Sequence, residues 1–138
     1  MKAYIDTSVL LRILFNENNP LKSFSKITLA VSCEVLRLEC LRVIDRLRIE
    51  SKLDADEIAS IQQDLHKTCA MTEFVRITPF LLSMAGQPFP TVVRTLDAMH
   101  LAAALLWSQS KEESLIFLTH DKQLATAAQS LGFEVEGI

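Results

Sequence analysis

The chain lacks an excess of positive charge and lacks any long apolar run, and each absence excludes a class of protein. Its formal net charge is −3 at pH 7, so it has no global basic field of the kind that indicates a nucleic-acid partner, and only a local basic patch could serve that purpose. Its longest apolar stretch, LAAALLW, is far shorter than the roughly 20 residues that cross a bilayer. We therefore expect no membrane segment.

Cysteine is scarce and is not arranged for disulfide or zinc chemistry. The three cysteines, Cys33, Cys40 and Cys69, form no CxxC pair, and an odd number of isolated cysteines is typical of reduced thiols that fill a core. No two of the three histidines have the spacing of zinc ligands. The chain opens with MKAYID rather than with an apolar segment before a cleavage site. These features predict a cytoplasmic protein.

Apolar residues, by contrast, are plentiful and fall in alternating patterns. Hydrophobic residues make up 49% of the 138 positions, so we expect residues 1–138 to fold as a single domain. Short runs of apolar and β-branched residues predict strands, and the amphipathic segments between them predict helices. This alternation predicts an α/β fold, in which helices cover both faces of a mostly parallel sheet of four or five strands.

The ends of the predicted elements carry recognisable signals. Thr7 and Ser8 are expected to cap the first helix, and Asp97 is expected to open a helix that runs to about Gln109. Gly132 is expected to end the last helix as a left-handed C-cap. The predicted strands are residues 2–6, 27–33, 71–77, 115–120 and 133–138.

Four acidic residues fall where an α/β fold would bring them to one point. Segments just beyond the carboxyl ends of parallel strands converge on one crevice of the sheet. Carboxylates forced together repel, and a divalent cation that prefers hard oxygen ligands, Mg²⁺ or Mn²⁺, would neutralise them. The pattern indicates an enzyme that uses one or two such ions on phosphodiesters. The four residues are Asp6, Glu39, Asp97 and Asp121.

The three aspartates of this set also have a structural explanation, because each precedes a predicted helix and aspartate is a good N-cap. Capping does not explain Glu39, which lies inside the helix predicted for residues 34–50, at the rim of its apolar stripe. A charge at that rim is costly unless it is paired or bound to a metal. The alternative to metal binding is an ion pair between Glu39 and Arg42 or Arg46.

Hydroxyl and imidazole groups flank the aspartates. Thr7 and Ser8 follow the first aspartate, and Thr119 stands two residues before the last. Such hydroxyls can hold metal-bound waters or contact phosphate, and they can equally cap helices. His100 lies on the helix that begins at the third aspartate, and we interpret it as a hydrogen-bonded core residue. His120 is expected to point away from its acidic neighbour.

Arginines could contact phosphate despite the net negative charge. Arg42 and Arg46 share the side of their predicted helix that carries Glu39, which places them near the expected site. An ordinary solvated face explains any one of the candidates as well. The full set is Arg12, Arg42, Arg46 and Arg94.

Four segments of the chain resemble the signature stretches of the PIN-domain family. They are YIDTSVLL, RLECLRVIDRL, RTLDAMHLAAAL and LTHDKQLATAA, in that order and over nearly the whole chain. The likeness is greatest to the toxin half of VapBC-type toxin–antitoxin pairs. It implies a compact three-layer α/β/α sandwich and a Mg²⁺- or Mn²⁺-dependent endoribonuclease. It also implies metal-binding carboxylates at Asp6, Glu39, Asp97 and Asp121.

The resemblance further implies partners: RNA as the substrate, a small antitoxin protein that blocks the site, and a second copy of the chain in a homodimer. The hydroxyl after the first aspartate maps to Thr7 or Ser8, and the one before the last maps to Thr119. The segment between Phe15 and Ile27 departs from the family, since it leaves little room for a long second helix. This departure concerns the antitoxin groove and any substrate-gripping loop, not the acidic centre.

Two other interpretations compete with a nuclease. A phosphatase of the haloacid-dehalogenase type needs a second aspartate two positions after the first, where this chain has Ser8. A receiver domain needs an acidic pair near the end of the first strand, which is absent. The other alternative is a non-catalytic PIN-like module that binds RNA or protein. The presence of all four acids speaks against such a module without establishing activity.

Overall fold

Five short strands form one sheet in the computed structural model, which describes residues 1–138. All four strand pairings are parallel. The predicted α/β class is confirmed, and the sheet is parallel throughout. The strands are β1 (Lys2–Ile5), β2 (Leu29–Cys33), β3 (Thr72–Val75), β4 (Ile116–Leu118) and β5 (Glu134–Glu136).

The spatial order of the strands, β3-β2-β1-β4-β5, places β1 in the middle of the sheet. The chain builds the sheet outward through β2 and β3, and then crosses to the other side of β1 for β4 and β5. Such a reversal leaves a crevice beyond the carboxyl ends of β1 and β4. Ile5 pairs with Leu118 in the register of β1 and β4. The residues that follow these strands, Asp6 and Thr119, therefore begin beside each other.

Helices cover both faces of the sheet, because successive side chains of each strand point to opposite faces. Tyr4 of β1 belongs to a buried cluster on one face, whereas its neighbours Ala3 and Ile5 belong to the cluster on the other. The predicted three-layer sandwich is confirmed. The helices are α1 (Thr7–Leu14), α2 (Val35–Ile49), α3 (Ala55–Ala70), α4 (Pro79–Ala85), α5 (Thr95–Lys111) and α6 (Lys122–Ser130).

The two layers of helices divide along the sequence. The buried apolar residues of α1, α2 and α3, except Val35, pack in the cluster that contains Ala3 and Ile5. Most of those of α4, α5 and α6 pack, together with Val35, in the cluster that contains Tyr4. None of the helices has both the length and the apolar content needed to cross a membrane.

Helix α5 has more buried residues than any other helix, and its almost continuous apolar sequence accounts for this. Seven consecutive residues, Ala98 to Ala104, are buried, which is possible only if protein surrounds the helix on every side. Three of them are alanines at successive positions, and small side chains allow the helix to lie close to the sheet. This depth sets the positions of Asp97 and His100, which belong to the first two turns of the helix.

Two predicted helix starts were wrong. Helix α1 is capped by Asp6, whose extended backbone lets its carboxylate accept the Ser8 amide. The capping role considered for Asp6 is therefore confirmed, and neither Thr7 nor Ser8 is the cap. Helix α5 begins at Thr95 after Arg94, which makes no side-chain capping bond, and Asp97 lies inside the first turn. Asp97 is therefore not the N-cap, and its carboxylate is not used for capping.

The connection between α1 and β2 contains no long helix, as expected. A single 3₁₀ helix, Lys22–Lys26, is its only regular element. The last helix also ends as predicted, since Gly132 adopts a φ of 92°, a left-handed conformation that glycine accepts without steric cost.

Candidate active site

Asp6 is held at the carboxyl end of β1 by hydrogen bonds to one of its two oxygens. Its Oδ2 accepts the Ser8 hydroxyl at 2.5 Å, the Thr119 hydroxyl at 2.9 Å and the Ser8 amide at 3.3 Å. The Asp6 amide in turn donates to the Leu118 carbonyl of β4 at 3.0 Å. The residue is almost completely buried. Three donors on Oδ2 fix the carboxylate and leave Oδ1 outside this network.

The predicted hydroxyls therefore serve the carboxylates directly. Ser8 Oγ, besides donating to Asp6, accepts the His120 amide at 2.9 Å, and Thr119 Oγ1 accepts the Asp121 amide at 3.0 Å. The two hydroxyls tie the turn after β4 to the turn after β1. His120 points away, as expected, and its Nδ1 donates to the Gly137 carbonyl at 2.6 Å.

Asp121 caps α6 with one oxygen and faces the site with the other. Its Oδ1 accepts the amides of Gln123 and Leu124 at 2.8 and 3.1 Å, so the capping role considered from the sequence is confirmed. Its Oδ2 receives a hydrogen bond from Arg94 at 3.3 Å. The same arginine places its Nε 3.5 Å from Oδ2 of Asp97. Arg94 is thus the cation between these two carboxylates.

Asp97 is in an unfavourable environment for a charged group. Burial raises the pKa of its carboxyl, the negative charges of Asp121 and Asp6 raise it further, and Arg94 lowers it in part. Its Oδ2 is buried and has no hydrogen-bond partner. The contact with Arg94 is therefore electrostatic, and it leaves the oxygen available to another cation. A bound cation would satisfy this buried anionic oxygen, which lies close to two more carboxylates.

Glu39 of α2 enters the same region from the opposite layer of helices. Its Oε1 accepts the Thr7 hydroxyl at 2.9 Å and lies 2.7 Å from Nε2 of His100. The predicted alternative, an ion pair with Arg42 or Arg46, was wrong, because Arg42 instead contacts Asp45 at 3.2 Å. Neighbours on one helix compete for the same arginine, and Asp45 is the better placed of the two.

His100 is buried and bonded at both ring nitrogens. Nδ1 lies 2.8 Å from the Tyr4 hydroxyl, and Nε2 contacts Glu39. Burial lowers the pKa of the imidazole, but the hydrogen bond to Glu39 and the charges of Asp6, Glu39 and Asp97 outweigh burial and raise it. The interpretation of His100 as a hydrogen-bonded core residue is confirmed. The sequence did not reveal that its partner is Glu39, although its position one turn after Asp97 offered a signal.

All four acids line one cavity of about 450 Å³. Thr7 and Ser8 line it as well, whereas Thr119 is buried and does not line it. Leu11, Leu38 and Leu96 supply apolar walls. The acids come from four separate elements, so folding gathers residues that the sequence keeps far apart.

The predicted arginines divide into two groups. Arg42 and Arg94 line the acidic cavity. Arg46 lies in a neighbouring groove that Arg42 also borders, and Arg12 lies elsewhere, 3.7 Å from Glu17. Two of the four candidates therefore lie beside the four acids.

The carboxylate oxygens at this cavity are ligands of the kind that a hard divalent cation prefers. In this structure, however, they are not arranged as a complete coordination shell. No three His, Cys, Asp or Glu side chains are arranged so that they could hold a metal ion as they stand. The contacts described above account for this openness, since Arg94 bridges Asp97 and Asp121 while His100 and Thr7 engage one oxygen of Glu39. Oδ1 of Asp6, Oε2 of Glu39 and Oδ2 of Asp97 accept no hydrogen bond, and these are the oxygens that fit a cation.

Comparisons with known proteins agree with this architecture. A family profile described as PIN domain matches residues 3–129. The chain is also 26% identical, over 137 residues, to a protein of Mycobacterium tuberculosis (strain CDC 1551 / Oshkosh) named Ribonuclease VapC47, with 94% of this chain and 92% of that protein covered. Since the profile spans almost the entire chain and its four signature stretches, the chain belongs to the PIN-domain family.

Proposed function

We propose that the chain is a Mg²⁺- or Mn²⁺-dependent endoribonuclease that hydrolyses RNA phosphodiester bonds. One observation carries this proposal: four carboxylates from four separate elements line a single cavity, and one of their oxygens, Oδ2 of Asp97, is buried without a hydrogen-bond partner. Membership of the PIN-domain family supports it, and so does the similarity to a protein named as a ribonuclease.

The residues proposed to hold one or two ions are the four acids, each through an oxygen that has no internal hydrogen bond or is bound only to Arg94. These oxygens are Oδ1 of Asp6, Oε2 of Glu39, Oδ2 of Asp97 and Oδ2 of Asp121. A divalent cation supplies Lewis acidity toward a phosphoryl oxygen and a lowered pKa for water. The hydroxyls of Ser8 and Thr119 hold Asp6 in place for this task.

In the proposed mechanism, Arg94 leaves Asp97 and Asp121 and contacts a phosphate of the substrate instead. Its side chain is 72% exposed, and its guanidinium contacts both Asp97 and Asp121 at the cavity. A divalent cation at those carboxylates would displace it by like-charge repulsion. Arg94 would then be free, beside Arg42, to contact a phosphate of the RNA backbone.

The proposal is tested with Asp97→Asn. The substitution removes the charge and keeps the shape, and it removes no helix cap. We expect cleavage of RNA in Mn²⁺ to fall by about two orders of magnitude or more, since electrostatic stabilisation of this kind contributes on that scale. Asp64→Asn is the matched control, because Asp64 is exposed on α3 away from the cavity. Cleavage by Asp97→Asn at the wild-type rate would refute the assignment.

A binding measurement separates an enzyme from a non-catalytic module. We expect Mn²⁺ to raise the melting temperature of the wild-type protein and of Asp64→Asn, but not of Asp97→Asn, because a ligand stabilises the state that binds it. Stabilisation by Mn²⁺ without any RNA cleavage would instead support a module that binds and does not cut.

We further propose that the protein acts in the cytoplasm as the toxin of a toxin–antitoxin pair and that it forms a homodimer. Three free cysteines agree with a reducing compartment. Large apolar side chains on α4 and in the loop after it are exposed, among them Phe80, Leu82 and Val92, and such surface is available to protein partners. Light scattering of the purified chain would report a single-chain mass if the homodimer is wrong. Growth arrest on expression, relieved by Asp97→Asn, is the expected sign of a toxin.

A further inference from the structure

We propose that His100 is a positioning residue, which holds the carboxylate of Glu39 so that its second oxygen faces the cavity. The inference rests on the proposed function, in which Glu39 binds the cation. His100 itself would touch neither the cation nor RNA, because its side chain is only 1% exposed.

The hydrogen bonds around Glu39 are distributed in a way that suits this role. Thr7 Oγ1 and His100 Nε2 both contact Oε1, at 2.9 and 2.7 Å. Oε2 takes no part in these bonds. The terminal torsion of a glutamate side chain is broad and has no sharp preference of its own. Two donors on one oxygen supply the restraint that the side chain lacks, and they direct the other oxygen outward.

The proton that Glu39 accepts must come from Nε2, since an ionised carboxylate is only an acceptor. In the neutral ring this requires Nδ1 to be an acceptor, and the Tyr4 hydroxyl lies 2.8 Å from it. Burial, together with the nearby thiol of Cys33 and the charge of Asp6, raises the pKa of Tyr4 well above its usual value, so its hydroxyl keeps the proton that it donates. In the charged ring, Nε2 is again a donor. Both forms of His100 therefore hold Glu39.

Tyr4 is itself immobile, which makes the arrangement rigid. Its ring stacks on Phe117 of β4, with 4.9 Å between the ring centroids, and both side chains are completely buried. The chain of contacts thus runs from the centre of the sheet through Tyr4 and His100 to Glu39. A buried histidine that served packing alone would have no need to direct its second nitrogen at a carboxylate in a cavity.

Two substitutions of similar size separate positioning from packing. The amide nitrogen of glutamine reaches about as far as Nε2, so His100→Gln keeps a donor toward Glu39. The shorter His100→Asn reaches about as far as Nδ1 and keeps only the contact with Tyr4. Both place a neutral amide in the same buried space. The measurement is Mn²⁺ affinity by titration calorimetry, with thermal melting in EDTA as the check on folding.

We expect His100→Gln to bind Mn²⁺ within a few-fold of the wild type and His100→Asn to bind about 10- to 100-fold more weakly, which is the usual effect of losing a group that orients a metal ligand. Equal affinity of His100→Asn and the wild type would overturn the proposal and leave the nuclease function intact. A His100→Gln variant that binds Mn²⁺ as weakly as His100→Asn would also overturn the proposal. If the wild type itself neither binds Mn²⁺ nor cuts RNA, the proposed function fails instead.

A measurement on the unmodified protein covers the case in which neither variant folds. Nitrogen-15 spectra of labelled histidine report which ring nitrogen carries the proton. We expect His100 in the metal-free protein to be protonated at Nε2, and we expect the signal to change when Tyr4→Phe removes the donor at Nδ1. A neutral ring protonated at Nδ1 alone in the wild type would overturn the proposal.

Discussion

At the scale of single residues, the site is defined by how its negative charge is balanced. Arg94 neutralises Asp97 and Asp121 from the solvent side, while Asp6 and Glu39 are held by neutral or buried donors. An exposed arginine is a weak and removable counter-ion, because solvent screens its contacts. The cavity is therefore anionic enough to attract a cation and is not irreversibly blocked.

Arg94→Ala is expected to tighten Mn²⁺ binding and to weaken RNA cleavage. Removing the arginine frees two carboxylates, and an exposed ion pair contributes up to about 1 kcal/mol, so the dissociation constant should fall by about fivefold. Arg46→Ala is the control, since Arg46 lies outside the acidic cavity. Calorimetric titration checks the affinity. Weaker binding of Mn²⁺ by Arg94→Ala would show that the guanidinium does not compete with the ion.

Asp97→Asn is expected to make the metal-free protein more stable. The raised pKa of Asp97 means that its ionised form is disfavoured by folding at neutral pH, owing first to burial and then to the neighbouring aspartates. A neutral amide avoids this penalty, so the melting temperature in EDTA should rise by a few degrees. A fall in that temperature would show instead that Arg94 more than compensates the charge. The same variant is expected to lose RNA cleavage, which is the usual opposition between stability and function at a site.

At the scale of secondary structure, the acidic residues at two helix starts each cap a helix and also belong to the acidic cavity. Asp121 caps α6 with one oxygen and faces Arg94 with the other, and Asp6 caps α1 while it belongs to the acidic cavity. A helix start after a strand places backbone amides and an acidic side chain at the same point. This geometry explains why capping and metal binding could not be separated from the sequence.

The two roles of Asp121 can be separated by a pair of substitutions. Asparagine caps helices as well as aspartate does, whereas alanine does not. Asp121→Asn should therefore lose cleavage with little change in stability, and Asp121→Ala should lose cleavage and also about 1 kcal/mol of the free energy of unfolding. Urea unfolding followed by circular dichroism measures the difference. Equal stability of the two variants would mean that the cap contributes nothing measurable.

The packing of α2 against its neighbours also controls thiol chemistry. Burial raises the pKa of Cys40 to about 12 and raises that of Cys69 as well. Because the thiolate is the reactive form, Cys40 should resist iodoacetamide at pH 8 in the native protein and react at once in denaturant. Mass spectrometry of timed samples gives the rates. Rapid native alkylation of Cys40 would indicate that this part of the core opens easily.

At the scale of the whole molecule, the sequence was sufficient for the architecture and for the meeting of the four acids. Both follow from local patterns, since strand ends in a parallel sheet share one edge and the register of Ile5 with Leu118 keeps Asp6 beside Thr119. The prediction that no long helix lies between Phe15 and Ile27 rested equally on local information.

The features that the sequence did not predict depend on how the two layers of helices pack against the sheet and each other. The partner of Glu39 could not be read from α2 alone, because His100 reaches it from α5 and only the depth of α5 brings the two together. The start of α5 was misplaced for a related reason: Thr95 and Leu96 continue the helix backward without a side-chain cap. Pairings between distant elements are set by tertiary packing rather than by propensity.

The central position of β1 has a consequence for biosynthesis. Its neighbour β4 and the aspartate that follows β4 come from the last part of the chain, whereas β1 and its own aspartate come from the first. A nascent polypeptide emerging from the ribosome therefore carries an incomplete cluster of acids until β4 and Asp121 have been synthesised. If the protein cleaves RNA, a polypeptide that stops before Asp121 would lack one of the four acids and would not be expected to cleave it.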